Sequence, residues 1–214
     1  MTSTRKLARD ALLLVAFCAT VAAVVAVRPP VAQAADCGGR SLSQPFRSLG
    51  DSRSYFLIPG GSFESGAPNW LLNGASVVSG NESLYLRSTS DRSSLRISSA
   101  ATSPRFCITR SDPHVRLVAR SVQIAGSNGN YSSLNVTAVI RNSSGSVMSY
   151  YLGSMNAPKN SGWFVTPPLS WGSAFADWLF AADGTATVEL QFSVQGQGGT
   201  WSVDDVFVDP FLGS

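Results

Sequence analysis

The chain has 214 residues, with 16 basic against 13 acidic side chains and a single histidine. Four of the basic and one of the acidic residues fall in the first 34, so the 180 that follow carry no net charge. A neutral domain of that length suits one substantial core, and it excludes nucleic acid and anionic membrane as partners held by bulk charge.

The amino-terminal segment reads as an export signal. Arg5, Lys6 and Arg9 form a basic start, residues 11–27 are apolar, and Ala32-Gln33-Ala34 has the small-x-small pattern cut by signal peptidase. The expectation is cleavage after Ala34, a secreted product and no membrane span in the mature chain. Cys18 and Cys37 follow Phe17 and Asp36 rather than a small residue, which argues against a lipoprotein. Cys18 leaves with the leader. Cys37 and Cys107 remain as an even pair in an exported protein, so a disulfide is expected to pin an arm at 35–54 to a domain at 55–214.

From Tyr55 onward, short alternating segments are separated by turn chemistry. Strands are predicted over Tyr55–Ile58, Ala75–Ser79, Ser83–Arg87, Ser94–Ser98 and Phe106–Thr109. Further strands are predicted over His114–Ser121, Leu134–Arg141, Val147–Leu152, Thr187–Val194 and Trp201–Val208. In 114–121, Val115, Leu117 and Ala119 alternate with Arg116 and Arg120, and Asn142-Ser143-Ser144-Gly145 reads as a hairpin turn. One short helix is expected at Ser173–Ala182, where Phe175, Trp178 and Leu179 share a face. The predicted fold class is all-β: a jelly-roll β-sandwich of two antiparallel sheets with one short helix in a loop.

Little in the chain points to catalysis. There is no Gly-x-Ser-x-Gly elbow, no phosphate loop and no His/Cys cluster. Glycoside chemistry needs only two carboxylates, and Glu64, Glu82, Glu189, Asp204 and Asp205 are the candidates. Glu189 alternates with core residues and reads as a solvated strand-face charge; Glu82 follows Gly80-Asn81 and reads as a turn residue.

Sugar recognition uses aromatic faces for stacking together with amide and carboxylate side chains for the hydroxyls. Trp70 and Trp201 read as core. Tyr150 and Tyr151 are adjacent in a strand, so one of them faces outward. Trp163, Trp171 and Trp178 fall in the Pro/Gly-rich 156–184 region, and Tyr131 follows a loop tip. The ligand-binding candidates are therefore Trp163, Tyr151, Tyr150, Trp171 and Tyr131.

Two end segments carry a resemblance. Pro59-Gly60-Gly61-Ser62-Phe63-Glu64 followed by Trp70, and Trp201-Ser202-Val203-Asp204-Asp205-Val206, resemble the opening and closing strands of carbohydrate-binding modules appended to xylanases and cellulases. That resemblance implies a galactose-binding-like jelly roll with those two strands side by side. It also implies a structural calcium ion held by Glu64, Asp204 and Asp205, oxygen ligands that suit calcium, with no other cofactor required. Those modules usually carry Asn-Gly before the Phe, where this chain has Pro59 to Ser62. The alternative pairs Asp204 and Asp205 with an arginine such as Arg53 or Arg105. From Cys37 to Pro210 the chain is also similar to small exported proteins from high-GC Gram-positive (actinobacterial) bacteria. That similarity runs through Tyr55, Gly80-Asn81-Glu82, Ser93-Ser94-Leu95 and Asp209-Pro210, and it implies a fold rather than an activity.

The function expected from these readings is a secreted, non-catalytic binder of poly- or oligosaccharide, or of another cell-envelope component, through an aromatic-lined groove. The alternatives are an envelope structural or protein-interaction module without a sugar ligand, and a carbohydrate-active enzyme.

Overall fold

The computed structural model describes residues 37–123, 131–142, 145–158, 161–171, 180–196 and 199–209. The predicted export signal and most of the predicted 173–182 helix, Trp178 included, lie outside the described residues. In chain order the first strands are Leu42–Ser43 (β1), Tyr55–Leu57 (β2), Leu71–Ser79 (β3), Ser93–Thr102 (β4), Phe106–Thr109 (β5) and His114–Gln123 (β6). They are followed by Tyr131–Arg141 (β7), Val147–Pro158 (β8), Phe164–Val165 (β9), Leu169–Ser170 (β10), Thr185–Gln195 (β11) and Thr200–Asp209 (β12).

The pairings are antiparallel and build two layers. In the first, β12 lies between β6 and β4, with β3 beyond β4, β9 and β10 beyond β6, and β2 on the carboxyl-terminal end of β12. The second runs β8–β7–β11–β5. The long strand β4 belongs to both layers: Leu95 to Ile97 pair with β12, and Ala100 to Thr102 pair with β11. The predicted jelly roll of two antiparallel sheets is the fold, closed around this shared strand. Leu95, Ile97, Leu117, Ala119, Trp201 and Val203 from one layer meet Leu134, Val136, Ala138, Val188, Leu190 and Phe192 from the other, all buried. Trp70 stacks on Phe192 with ring centroids 5.9 Å apart, and Trp201 meets Phe164 edge-on at 6.2 Å. Both tryptophans of the end segments are core, as expected from the sequence.

The opening and closing strands are neighbours, as the resemblance implies. Leu57 and Phe56 pair with Phe207 and Val208, and the Val206 N–H donates to Gly61 O at 3.1 Å. A side chain at Gly61 would meet Ile58 Cγ1 at 2.9 Å and Val206 O at 3.1 Å, so the turn approaches β12 closely only because this position is glycine. Between Asp204 and Phe207 the β12–β6 register slips, and Asp205 sits at φ +46°. The bulge reverses the facing of the strand: Trp201 and Val203 point inward before it, Val206 and Val208 after it. Phe207 thereby turns outward, into a second cluster with Phe46 and Tyr55 at centroid distances of 5.6 and 6.4 Å.

That cluster is the socket for the arm. The Tyr55 hydroxyl donates to Asp51 at 2.7 Å, and Arg116 and Arg53 also reach Asp51. Burial raises the cost of charge at Asp51, yet the hydrogen bonds from Arg53 and Tyr55 hold its carboxyl down at about 2. At the amino-terminal end, Arg40 binds both oxygens of the fully buried Asp112 at 2.9 and 2.7 Å, and the predicted Cys37–Cys107 disulfide closes beside it.

The strands differ from the sequence reading in several places: β1, β9 and β10 are additional, and β3, β4 and β7 run beyond their predicted bounds. Residues 83–87 are turn rather than strand, because the Glu82 carboxylate accepts the N–H groups of Leu84, Tyr85 and Leu86, which a neighbouring strand would otherwise take. Strand β8 runs on to Pro158 through a bulge at the β7 positions Val136 and Thr137. Removing the disulfide by the double substitution Cys37→Ser and Cys107→Ser frees a loop of 70 residues. The expected loss is about 3–4 kcal/mol, read as a lower urea midpoint; an unchanged midpoint would show that Arg40–Asp112 and the Phe46–Tyr55–Phe207 cluster hold the arm without the disulfide.

Candidate functional site

The ligand-binding candidates do not form one groove. Trp171 is 2 % exposed and its indole N–H donates to Asp112 O, so its ring is core rather than a stacking platform. Tyr150 packs against the core and Tyr151 is 63 % exposed on the opposite side of β8, which settles the facing of the adjacent pair. Trp163 lies on the outer side of the other layer, with the Arg120 guanidinium 4.7 Å from its ring centre. Tyr131 shares the odd-numbered register of β7 with Asn135 and Thr137; its side chain lies outside the described set.

Around Tyr151, the strand register builds a polar outer face. Tyr151, Thr137, Gln191, Thr102 and Leu71 are direct partners across β8, β7, β11, β4 and β3. The next row is Ser154, Asn135, Ser193, Ala100 and Asn73. Each step is one strand spacing, so the rows span roughly 19 Å. At the β3–β4 end, a cleft of about 360 Å³ is lined by Trp70, Leu71, Leu72, Asn73 and Thr102. A second cleft of about 350 Å³ lies under the arm, near Arg40 and Arg105; both arginines are already ion-paired, with Asp112 and Glu189.

A different chemistry occupies the outer side of the first layer. Arg96 of β4, Ser202 of β12 and Arg120 of β6 stand in one row, each opposite the next, with Ser76 of β3 beyond Arg96. The hydroxyls of Ser94 and Ser202 and the Nε groups of Arg96 and Arg120 are shielded from solvent without a hydrogen-bond partner. Among the described residues no carboxylate pairs with either guanidinium. Burial and the neighbouring Arg96 charge together lower the Arg120 pKa. A buried donor or acceptor left unpaired costs about 1–3 kcal/mol, so this row is maintained against stability. Sequence alternation does place Arg120 outward; the register that brings Arg96 and Ser202 beside it is a product of the fold.

The three predicted calcium ligands are close to the closing strand but engaged elsewhere. Glu64 accepts the N–H groups of Arg92 and Ser93 at 2.7–3.0 Å, and Asp204 accepts that of Glu82 at 3.2 Å. Asp205 meets Arg87, not Arg53 or Arg105, with Arg87 also bonded to Asp91. Arg53 is drawn to Asp51 and Asp209, and Arg105 lies beside β11 with Glu189, so neither reaches the bulge. Among the described residues, no three His, Cys, Asp or Glu side chains are grouped to hold a metal ion. One oxygen, Asp205 Oδ2, is buried and unpartnered.

Glu82 is itself buried, and three acids therefore crowd the bulge. Burial, then the Asp205 charge, pushes the Asp204 carboxyl up to about 8; burial, offset by Arg87 and reinforced by Glu82, pushes Asp205 up to about 7. The folded state thus keeps protons that the unfolded chain releases near pH 4. Their stabilising effect is complete below that pH and lost as pH rises through 7 to 8, at up to about 1.4 kcal/mol per pH unit for each carboxylate. Thermal melts should fall between pH 5 and 8, and Asp204→Asn with Asp205→Asn should flatten the slope. A slope unchanged by both substitutions would contradict this protonation.

The sequence matches no protein family profile and no curated protein. Solved structures share the strand layout at low overlap. A family 22 carbohydrate-binding module of Clostridium thermocellum is 10% identical, with a TM-score of 0.44 over 73% of this chain and 95% of its own. The second xylan-binding domain of that family from Paenibacillus barcinonensis is 14% identical, with a TM-score of 0.43 over 70% and 97%. A CBM61 module in complex with β-1,4-galactotriose is 8% identical, with a TM-score of 0.37 over 72% and 97%. Overlaps of this extent carry no argument about what this chain binds.

Proposed function

We propose that the protein is an exported, non-catalytic carbohydrate-binding protein that takes an oligo- or polysaccharide on the outer face of β8, β7, β11 and β4. The observation that carries the reading is the row from Tyr151 through Thr137 and Gln191 to Thr102, flanked by Asn135, Ser154 and Asn73. An exposed aromatic beside amides and hydroxyls on a flat sheet is the chemistry that stacks on a sugar ring and hydrogen-bonds its edge. Glu189 is the one carboxylate on these four strands, and it is held by Arg105 and Arg141. Glycoside hydrolysis needs a pair, which supports binding over catalysis. The disulfide supports export, since such bonds persist in oxidising compartments.

Tyr151→Ala should weaken retention on the polysaccharide that the protein binds by about tenfold, the effect of losing one stacking face, with an unchanged melt because the ring is exposed. Full retention by the variant would remove this face as the site. Calcium near Asp205 is the companion proposal, supported by the unpartnered Oδ2. Calcium should then raise the melting temperature relative to EDTA, through a gain in stability of about 2.7 kcal/mol at a hundredfold excess over the dissociation constant. Asp205→Asn should abolish the difference, and equal melts of the unsubstituted protein would rule the ion out.

A further inference from the structure

The row of Arg96, Ser202 and Arg120 has no role in the reading above and lies on β6, β12 and the part of β4 that pairs with β12. We propose that it is an anion-binding site whose ligand is an acidic glycan, with a uronate carboxylate bridging the two guanidiniums. The site stands independently of the Tyr151 face.

Three observations lead there. Arg96 and Arg120 flank a single intervening strand, which puts their Cα atoms about 10 Å apart, a span two guanidiniums close around one carboxylate. Neither has an acidic partner among the described residues, whereas Arg40, Arg53, Arg87, Arg105 and Arg116 all have one. The unpartnered hydroxyls of Ser94 and Ser202 lie beside them, and Trp163 covers Arg120.

The accompanying groups select the class of anion. Trp163 adds a half-buried ring next to the charge, and the exposed Ser76 hydroxyl beyond Arg96 suits a sugar hydroxyl better than it suits a bare ion. A nucleic acid fits poorly, because the 180 residues after the leader carry no net charge and two arginines neutralise few phosphates. A carboxylate also matches the planar fork of a guanidinium bidentately.

The test is calorimetric titration of the full chain at low salt with trigalacturonate, with its methyl ester and with inorganic sulfate. Trigalacturonate should bind at least tenfold more tightly than the ester, and added salt should weaken it. Arg96→Gln and Arg120→Gln should each cost tenfold or more, Arg96→Lys and Arg120→Lys less, and Tyr151→Ala nothing. Without ligand, either Gln variant should melt at the same temperature as the parent or higher, because a like-charge neighbour is gone. Equal binding of acid and ester, or unchanged binding by the Arg variants, would overturn the proposal. So would sulfate binding as tightly as trigalacturonate, which would leave a simple anion site. Loss of binding in Tyr151→Ala alone would move the acidic ligand to the other face and overturn this one.

Discussion

Every residue of the closing strand from Trp201 to Asp209 is buried. The strand is covered inside by the core, outside by the arm and the 80–92 turn, and on its edges by β2, β4 and β6. Yet its sequence places Ser202, Asp204, Asp205 and Asp209 among those residues. A polar group taken from water must be paired or it costs stability, so much of the structure around β12 is organised by finding partners for four side chains. Asp209 obtains Arg53, Asp204 the backbone of Glu82, and Asp205 the guanidinium of Arg87. Ser202 obtains none among the described residues, and Arg96 and Arg120, neither paired there with a carboxylate, stand in its row.

The bulge at Asp205 links this requirement to the arm. Left-handed backbone at a residue with a side chain is strained, costing on the order of 1 kcal/mol or more. In return Phe207 faces outward and Phe46 and Tyr55 have something to pack against. The Asp51 network and the arginine of β6 then anchor the same segment, with Arg116 lying 4.4 Å over the Phe46 ring. Strain in the last strand, burial of β2 and the position of the arm are one arrangement. It also leaves the upper part of that layer, around Arg96 and Arg120, outside the area the arm covers.

The architecture was legible because alternation with period two is a local signal. The strand at 187–194 follows from it and the disulfide from cysteine count, while Trp70 and Trp201 read as core through their place in the end segments. The misread segment 83–87 failed for a physical reason: a buried side chain, Glu82, satisfied backbone donors that strand pairing would otherwise satisfy. The site was less legible. Tyr151 could be named as one of an adjacent pair, but which of the two faced outward depended on the core contact of Tyr150. Trp171 was read as loop and proved to be buried, anchored on Asp112 across 59 residues. Arg96 and Arg120 are separated by 24 positions and meet only through the intervening strand β12, a long-range register that no local pattern encodes.

The account rests on two guanidiniums held together without a counter-charge. The most direct measurement follows the arginine Nε–H resonances of the protein during titration with trigalacturonate. The account predicts that the signals of Arg96 and Arg120 move together and saturably, while those of the ion-paired Arg40 and Arg116 stay in place. Unmoved signals from the pair, or equal movement across all the arginines, would contradict it.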